Sequence, residues 1–207
     1  MDIFIEGFVL QASLILALGA QNIFVLESGL KKQRNLLVAT ICSLCDATLI
    51  AVGVLGAATI FMKIPMLKIT FGVLGVLFLA FYGLKKLHES FKPQVIEVDE
   101  SHSTNSVKKV ILLSLGFSLL NPHVYLDTIV LVGGYASQYN NLESRAIFGG
   151  GAAIFSTLWF FGLALFAQVM SRVLNNSKSM RFVAFISGVV LLALTCKLGK
   201  DVYGWVL

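Results

Sequence analysis

The sequence predicts an all-α integral membrane protein, with six transmembrane helices arranged as two inverted three-helix repeats. Its composition, its run lengths and a short internal match carry that prediction. Of the 207 residues 57% are hydrophobic and 13% charged, whereas a soluble domain carries about 25% charged residues. Mean hydropathy is +0.85, and too few polar side chains exist to coat a water-facing surface. That excludes a soluble enzyme and a disordered chain. The apolar runs are continuous and reach the roughly 20 residues that a helical span needs, unlike the short alternating segments of a membrane β-barrel.

Each span follows from its run. The first, residues 3–26, lacks a basic n-region and outlasts a signal h-region, so a retained span is expected. Runs 36–62 and 64–84 complete a first half, residues 1–84. Residues 85–109 mix charges around Pro93 and read as a polar linker. A second half, 110–207, holds spans 110–139, 146–170 and 182–207. Lys197, Lys200 and Asp201 crowd the end of the last span, where long side chains snorkel.

Charge sets the orientation. Connections after the first, third and fifth spans hold Lys31, Lys32 and Arg34, then Lys85, Lys86, Lys92, Lys108 and Lys109, then Arg172, Lys178 and Arg181, which is eleven of 16 basic residues. That side is expected to be cytoplasmic, with the linker there and both termini outside. The net charge of +5 is spread in these clusters rather than in a patch, so no nucleic-acid partner is expected. The lipid bilayer is the expected surrounding.

A shift of 100 residues aligns Gln21-Asn22 with Asn121-Pro122, Leu26 with Leu126 and Glu27 with Asp127. Three spans per half would insert the second copy upside down. Inverted repeats of this kind are a transporter architecture with the substrate site near the midplane.

A charge inside a span costs about 2.5–3.5 kcal/mol even on mild insertion scales, so it must face protein or water. Asp46 lies ten residues past Leu36, about 15 Å into its span at 1.5 Å per residue. It reads as a functional carboxylate, or as one paired with a lysine such as Lys197 to lock the bundle. Pro122 lacks an N–H and crowds the Ser118 carbonyl, so the helix should break there. Asn121, His123, Tyr125 and Asp127 surround that break, and His123 and Asp127 share a face. Gln21 and Asn22 are the first-half counterpart, with interhelical hydrogen bonding as the plainer reading. Gln11 and Asn22, three turns apart, are expected on one face. Glu27 is expected at the interface, outside the site.

Cys42, Cys45 and Asp46 stand at i, i+3 and i+4 and, with His123, offer an alternative role as a heavy-metal exporter of the cadmium type. Cysteine is equally a small residue suited to helix contacts. Trp159 is expected to pack or to shape a cavity. Nothing pairs a nucleophile with an oriented base, so no enzyme and no cofactor are expected. Gly72, Gly75 and Gly149 to Gly151 permit close helix approach, within the chain or in a homo-oligomer.

Gly19-Ala20-Gln21-Asn22, Asp46-Ala47-Thr48-Leu49-Ile50, Leu120-Asn121-Pro122-His123-Val124-Tyr125-Leu126-Asp127-Thr128 and Trp159-Phe160-Phe161-Gly162-Leu163-Ala164-Leu165 together resemble the LysE family of amino-acid exporters, in particular its lysine and arginine branch. The resemblance runs in order over nearly the whole chain. It implies an inner-membrane exporter of L-arginine or L-lysine in a bacterium. The branch that exports neutral amino acids tends to carry Asn-Pro-Lys where this chain has Asn121-Pro122-His123. Ala20 replaces a frequent family proline, so a softer break is expected in the first half. Leu119 stands where a tryptophan is usual. A cationic substrate needs a fixed anion, for which Asp46 and Asp127 are the candidates. Gln21, Asn22, Asn121 and Tyr125 complete the expected substrate site, and Asp46, Asp127 and His123 are the candidates for proton coupling in an antiport.

Overall fold

The computed structural model describes residues 2–16, 19–32, 34–57, 65–91, 106–171 and 177–206. Among them helices dominate: α1 (Ile3–Ile15), α2 (Ala20–Leu30), α3 (Asn35–Val52), α4 (Pro65–Phe91), α5 (Val107–Leu119), α6 (Pro122–Ala136), α7 (Leu142–Met170) and α8 (Ser177–Val206). Beyond Val52 the α3 helix widens from Gly53 and ends at Gly56, whose φ of 104° is not helical, and a π-helical turn occupies Leu126–Val132 within α6.

Local chemistry starts several of these helices. The Asp2 carboxylate accepts from Phe4 N, and Asn141 Oδ1 accepts from Ser144 N. Asn121 Oδ1 accepts from His123 N, with Pro122 at the first helical position, where a missing N–H costs nothing.

By length and apolar composition, Asn35–Gly56, Leu142–Met170 and Arg181–Gly204 qualify as spans among the described residues, and five qualify if each bent pair counts as one. The bent pairs are α1 with α2, at 81°, and α5 with α6, at 58°. The first and fourth expected spans are each broken, and the first break is the sharper one where Ala20 suggested the softer. The expected linker is also shorter at both ends, because α4 continues to Phe91 and α5 begins at Val107. Its residues 92–105, and residues 58–64 of the second and third expected spans, lie outside the described ones.

Packing fixes the relative directions. Gly7 meets Phe148 and Gly29 meets Ala164 and Ala167, so the chain from α1 to α2 advances along α7 in the same N-to-C sense. Asn35 bonds the Ala164 carbonyl while Asp46 bonds Ser156, so α3 runs antiparallel to α7. Arg181 Nε donates to Ser90 O, and Gly83 meets Leu191, so α4 and α8 are antiparallel. The α1–α7 contact is close: a Cβ on Gly7 would lie 1.9 Å from Phe148 O, and one on Gly151 2.1 Å from Phe4 O. Only glycine lets these two backbones touch.

The described residues form three apolar clusters. One joins Phe24, Tyr82, Phe117, Phe160 and Leu198, a second joins Ile50, Val132, Phe148 and Ala152, and a smaller third joins Leu49, Val124, Tyr125 and Ile129. Large apolar side chains also point outward, with Phe81 69% and Leu112 68% exposed. A water-soluble surface would leave few such rings bare; a lipid-facing one requires them.

Candidate binding site between two helix breaks

A helix that breaks inside a membrane leaves backbone groups that need partners. Both breaks are braced in the same way. Asn22, early in α2, donates from Nδ2 to the Ile15 carbonyl at 2.8 Å. Tyr125, early in α6, donates from its hydroxyl to the Leu119 carbonyl at 2.5 Å. In each case the second piece of the helix satisfies a carbonyl that the first piece has freed. Trp159 Nε1 donates to Asn22 Oδ1 at 3.1 Å and so anchors the first brace to α7.

A cavity of about 410 Å³ opens between the breaks, and its polar lining includes Gln21, Asn22, Asn121, His123, Asp127 and Lys197. Five of these are expected site residues, brought together from α2 and the α5–α6 break. Tyr125 stands outside the lining and works on the backbone instead. Lys197, from α8, adds a positive charge facing Asp127 and His123.

Asp46 is set behind the cavity wall, 2% exposed. Gln21 Nε2 reaches its Oδ1 at 3.4 Å, and Ser156 Oγ donates to Oδ2 at 3.1 Å. Gln11 Nε2 donates to Ser156 Oγ at 2.8 Å, and Gln21 Nε2 also donates to Ser118 Oγ at 3.0 Å. Ser118 in turn lies 3.8 Å from Cys42 Sγ. One connected network thus joins α1, α2, α3, α5 and α7, with Gln21 linking the cavity to the buried carboxylate. Ser156 is its pivot: a hydroxyl can donate to a carboxylate, or turn and accept from a carboxyl group.

Two expectations change here. Lys197 lies in the cavity rather than beside Asp46, whose partners are Gln21 and Ser156. Gln11 and Asn22 do not share a face, because the break falls between them; Gln11 belongs to the Asp46 network and Asn22 to the brace. Glu27, expected outside the site, is indeed absent from the cavity lining and is packed within the protein, 4% exposed. Its Oε1 accepts from Lys31 at 2.7 Å and from Lys86, which is itself 3.3 Å from Glu89. Ser118 and Ser156 are not among the expected site residues, and the sequence pairs Gln11 with Asn22 rather than with Asp46. The available signal was small or amide side chains buried at helical spacing in apolar runs. Cys42 is buried and Cys45 only partly so, and no group of three His, Cys, Asp or Glu among the described residues is placed to hold a metal ion.

A family model described as LysE type translocator matches residues 12–201. This chain belongs to the LysE family. A protein of Aeromonas salmonicida named as a candidate amino-acid transporter, YggA, is 38% identical over 198 residues, 95% of each chain. The arginine exporter protein ArgO of Pectobacterium carotovorum subsp. carotovorum (strain PC1) is 34% identical over 205 residues, 98% of each chain. ArgO of Salmonella enteritidis PT4 (strain P125109) is 36% identical over 200 residues, covering 96% of this chain and 93% of that one. No solved structure matches significantly. The LysE family is a membrane family, and these relatives are named as transporters or exporters rather than enzymes.

Proposed function

We infer that this LysE-family protein exports a basic amino acid, L-arginine or L-lysine, from the bacterial cytoplasm across the inner membrane. The observation that carries the reading is the cavity between the two breaks, with Asp127 in its wall and Asp46 behind Gln21. Asp127 holds the cationic side chain of the substrate. Gln21, Asn22 and Asn121, with the N–H groups at the start of α2 and α6, hold its carboxylate. The names of the arginine-exporting relatives support the same substrate class.

Six passes organise the molecule, with α4 as the one beyond the five apolar candidates, in halves 1–84 and 110–207. The matching braces of the two breaks and the pairings α3 with α7 and α4 with α8 support an inverted repeat. Rocking of the halves about the breaks would expose the cavity to each side in turn. Residues 85–109 lie at the cytoplasmic face and both termini outside.

Moving a cation outward against an inside-negative potential costs about 2.3 kcal/mol per 100 mV. Proton antiport offsets that cost. Asp46 exchanges a proton as the substrate cation comes and goes at Asp127, with Ser156 turning to match and His123 passing the proton from the cavity. The test is efflux from proteoliposomes preloaded with labelled L-arginine, L-lysine, L-threonine or cadmium. Arginine or lysine efflux from wild type, lost in Asp46→Asn, is the expected result. Cadmium efflux without amino-acid movement would overturn the reading.

A further inference from the structure

A second cavity, of about 290 Å³, lies at the lysine-rich end of α2 and has no part in the site above. Glu27, Glu89, Lys31, Lys85, Lys86 and Lys109 line it. Its apolar wall is the stack in which Phe24 and Tyr82 pack on Phe117 at 4.5 and 4.7 Å. Glu27 is six residues from Gln21, about 9 Å along α2, so the aromatic stack separates the two cavities by little more than one layer.

The unusual atom is Glu27 Oε2. While Oε1 takes both lysines, Oε2 is buried with no hydrogen-bond partner. A buried carboxylate oxygen left open is costly unless a donor arrives. The cavity around it is of mixed sign. An anionic ligand would sit against that open oxygen, and a cationic one against four lysines. A zwitterion answers both, because its ammonium and carboxylate lie on one carbon. The volume is near the lower end of the range for small-molecule sites, about 300 Å³.

We propose that this cavity is a second amino-acid site, on the path between the central cavity and the lysine-rich face. There Glu27 Oε2 accepts from the α-ammonium, and Lys85 and Lys109 hold the α-carboxylate. The proposal rests on the exporter reading, since it supplies that path with a site for the group that all amino acids share. It follows that the second site takes amino acids irrespective of side chain, whereas the central one selects a cation.

Equilibrium dialysis of labelled L-arginine and L-alanine against the purified full-length protein tests it. Wild type is expected to bind two arginines and one alanine per chain. Glu27→Gln should keep one arginine at unchanged affinity and lose alanine. Asp127→Asn should keep alanine and lose the other arginine. Lys85 and Lys109 are exposed, so the double variant Lys85→Ala/Lys109→Ala folds even if Glu27→Gln does not. It should weaken alanine binding at least tenfold. One arginine per wild-type chain, unaffected by Glu27→Gln and by the lysine variant, overturns the second site and leaves the exporter reading standing. No binding of either amino acid to wild type overturns both.

Discussion

Ser156 shows how much a single hydroxyl can organise. Its hydroxyl donates a hydrogen bond to Asp46 and accepts one from Gln11, so Ser156→Ala removes two interhelical bonds. Such bonds average about 0.6 kcal/mol in membranes. A loss of about 1 kcal/mol is expected, seen as a lower unfolding midpoint in detergent, together with slower export at every pH. Asp127→Asn should act differently. Its fold is unaffected, and KM for arginine efflux rises at least tenfold as the cation loses its counter-charge. A KM within twofold of wild type would remove Asp127 from the substrate site. At this scale the sequence was partly legible. Asp46 and the 121–127 cluster stand out because a charge or a proline in an apolar run is costly wherever it occurs. Ser118, Ser156 and Gln11 carry no such penalty, so their part in the network becomes visible only when five helices are brought together.

Among the elements, the two breaks do the positioning. If Asn22 and Tyr125 brace them, Tyr125→Phe frees the Leu119 carbonyl without changing the ring that packs on Leu49 and Ile129. A several-fold slower efflux with near-normal stability is expected, measured on reconstituted protein, and an unchanged rate would mean that the brace is dispensable. The α1–α7 seam is less forgiving. Gly151→Leu forces a side chain into the Phe4 backbone, 2.1 Å away at Cβ, and should abolish accumulation of folded protein in the membrane. Pro122 announced the second break, since a proline removes an N–H that the helix needs. Nothing comparable marks the first, where Ala20 is a good helix former. Its sharper bend shows in the structure through Gly19 as the cap residue and Asn22 reaching back to Ile15.

For the molecule as a whole, composition and run length are sufficient for an all-helical membrane protein, because the bilayer leaves few alternatives to an apolar chain of this length. The partners of Glu27 escaped the same reasoning: a carboxylate near the end of a run names no counter-ion until Lys86 of α4 is known to lie against it. Six passes with an inverted repeat predict that labels at the two termini react from the same face of the membrane, and labels reacting from opposite faces would rule that arrangement out. In the proposed cycle the buried Asp46 on α3 and the cavity Asp127 on α6 together exchange a proton for a cationic amino acid. Arginine efflux driven by an imposed pH gradient, in wild type and in Asp46→Asn, tests it most directly. The gradient is expected to accelerate wild-type efflux and to leave the variant's rate unchanged. Equal acceleration of both would contradict it.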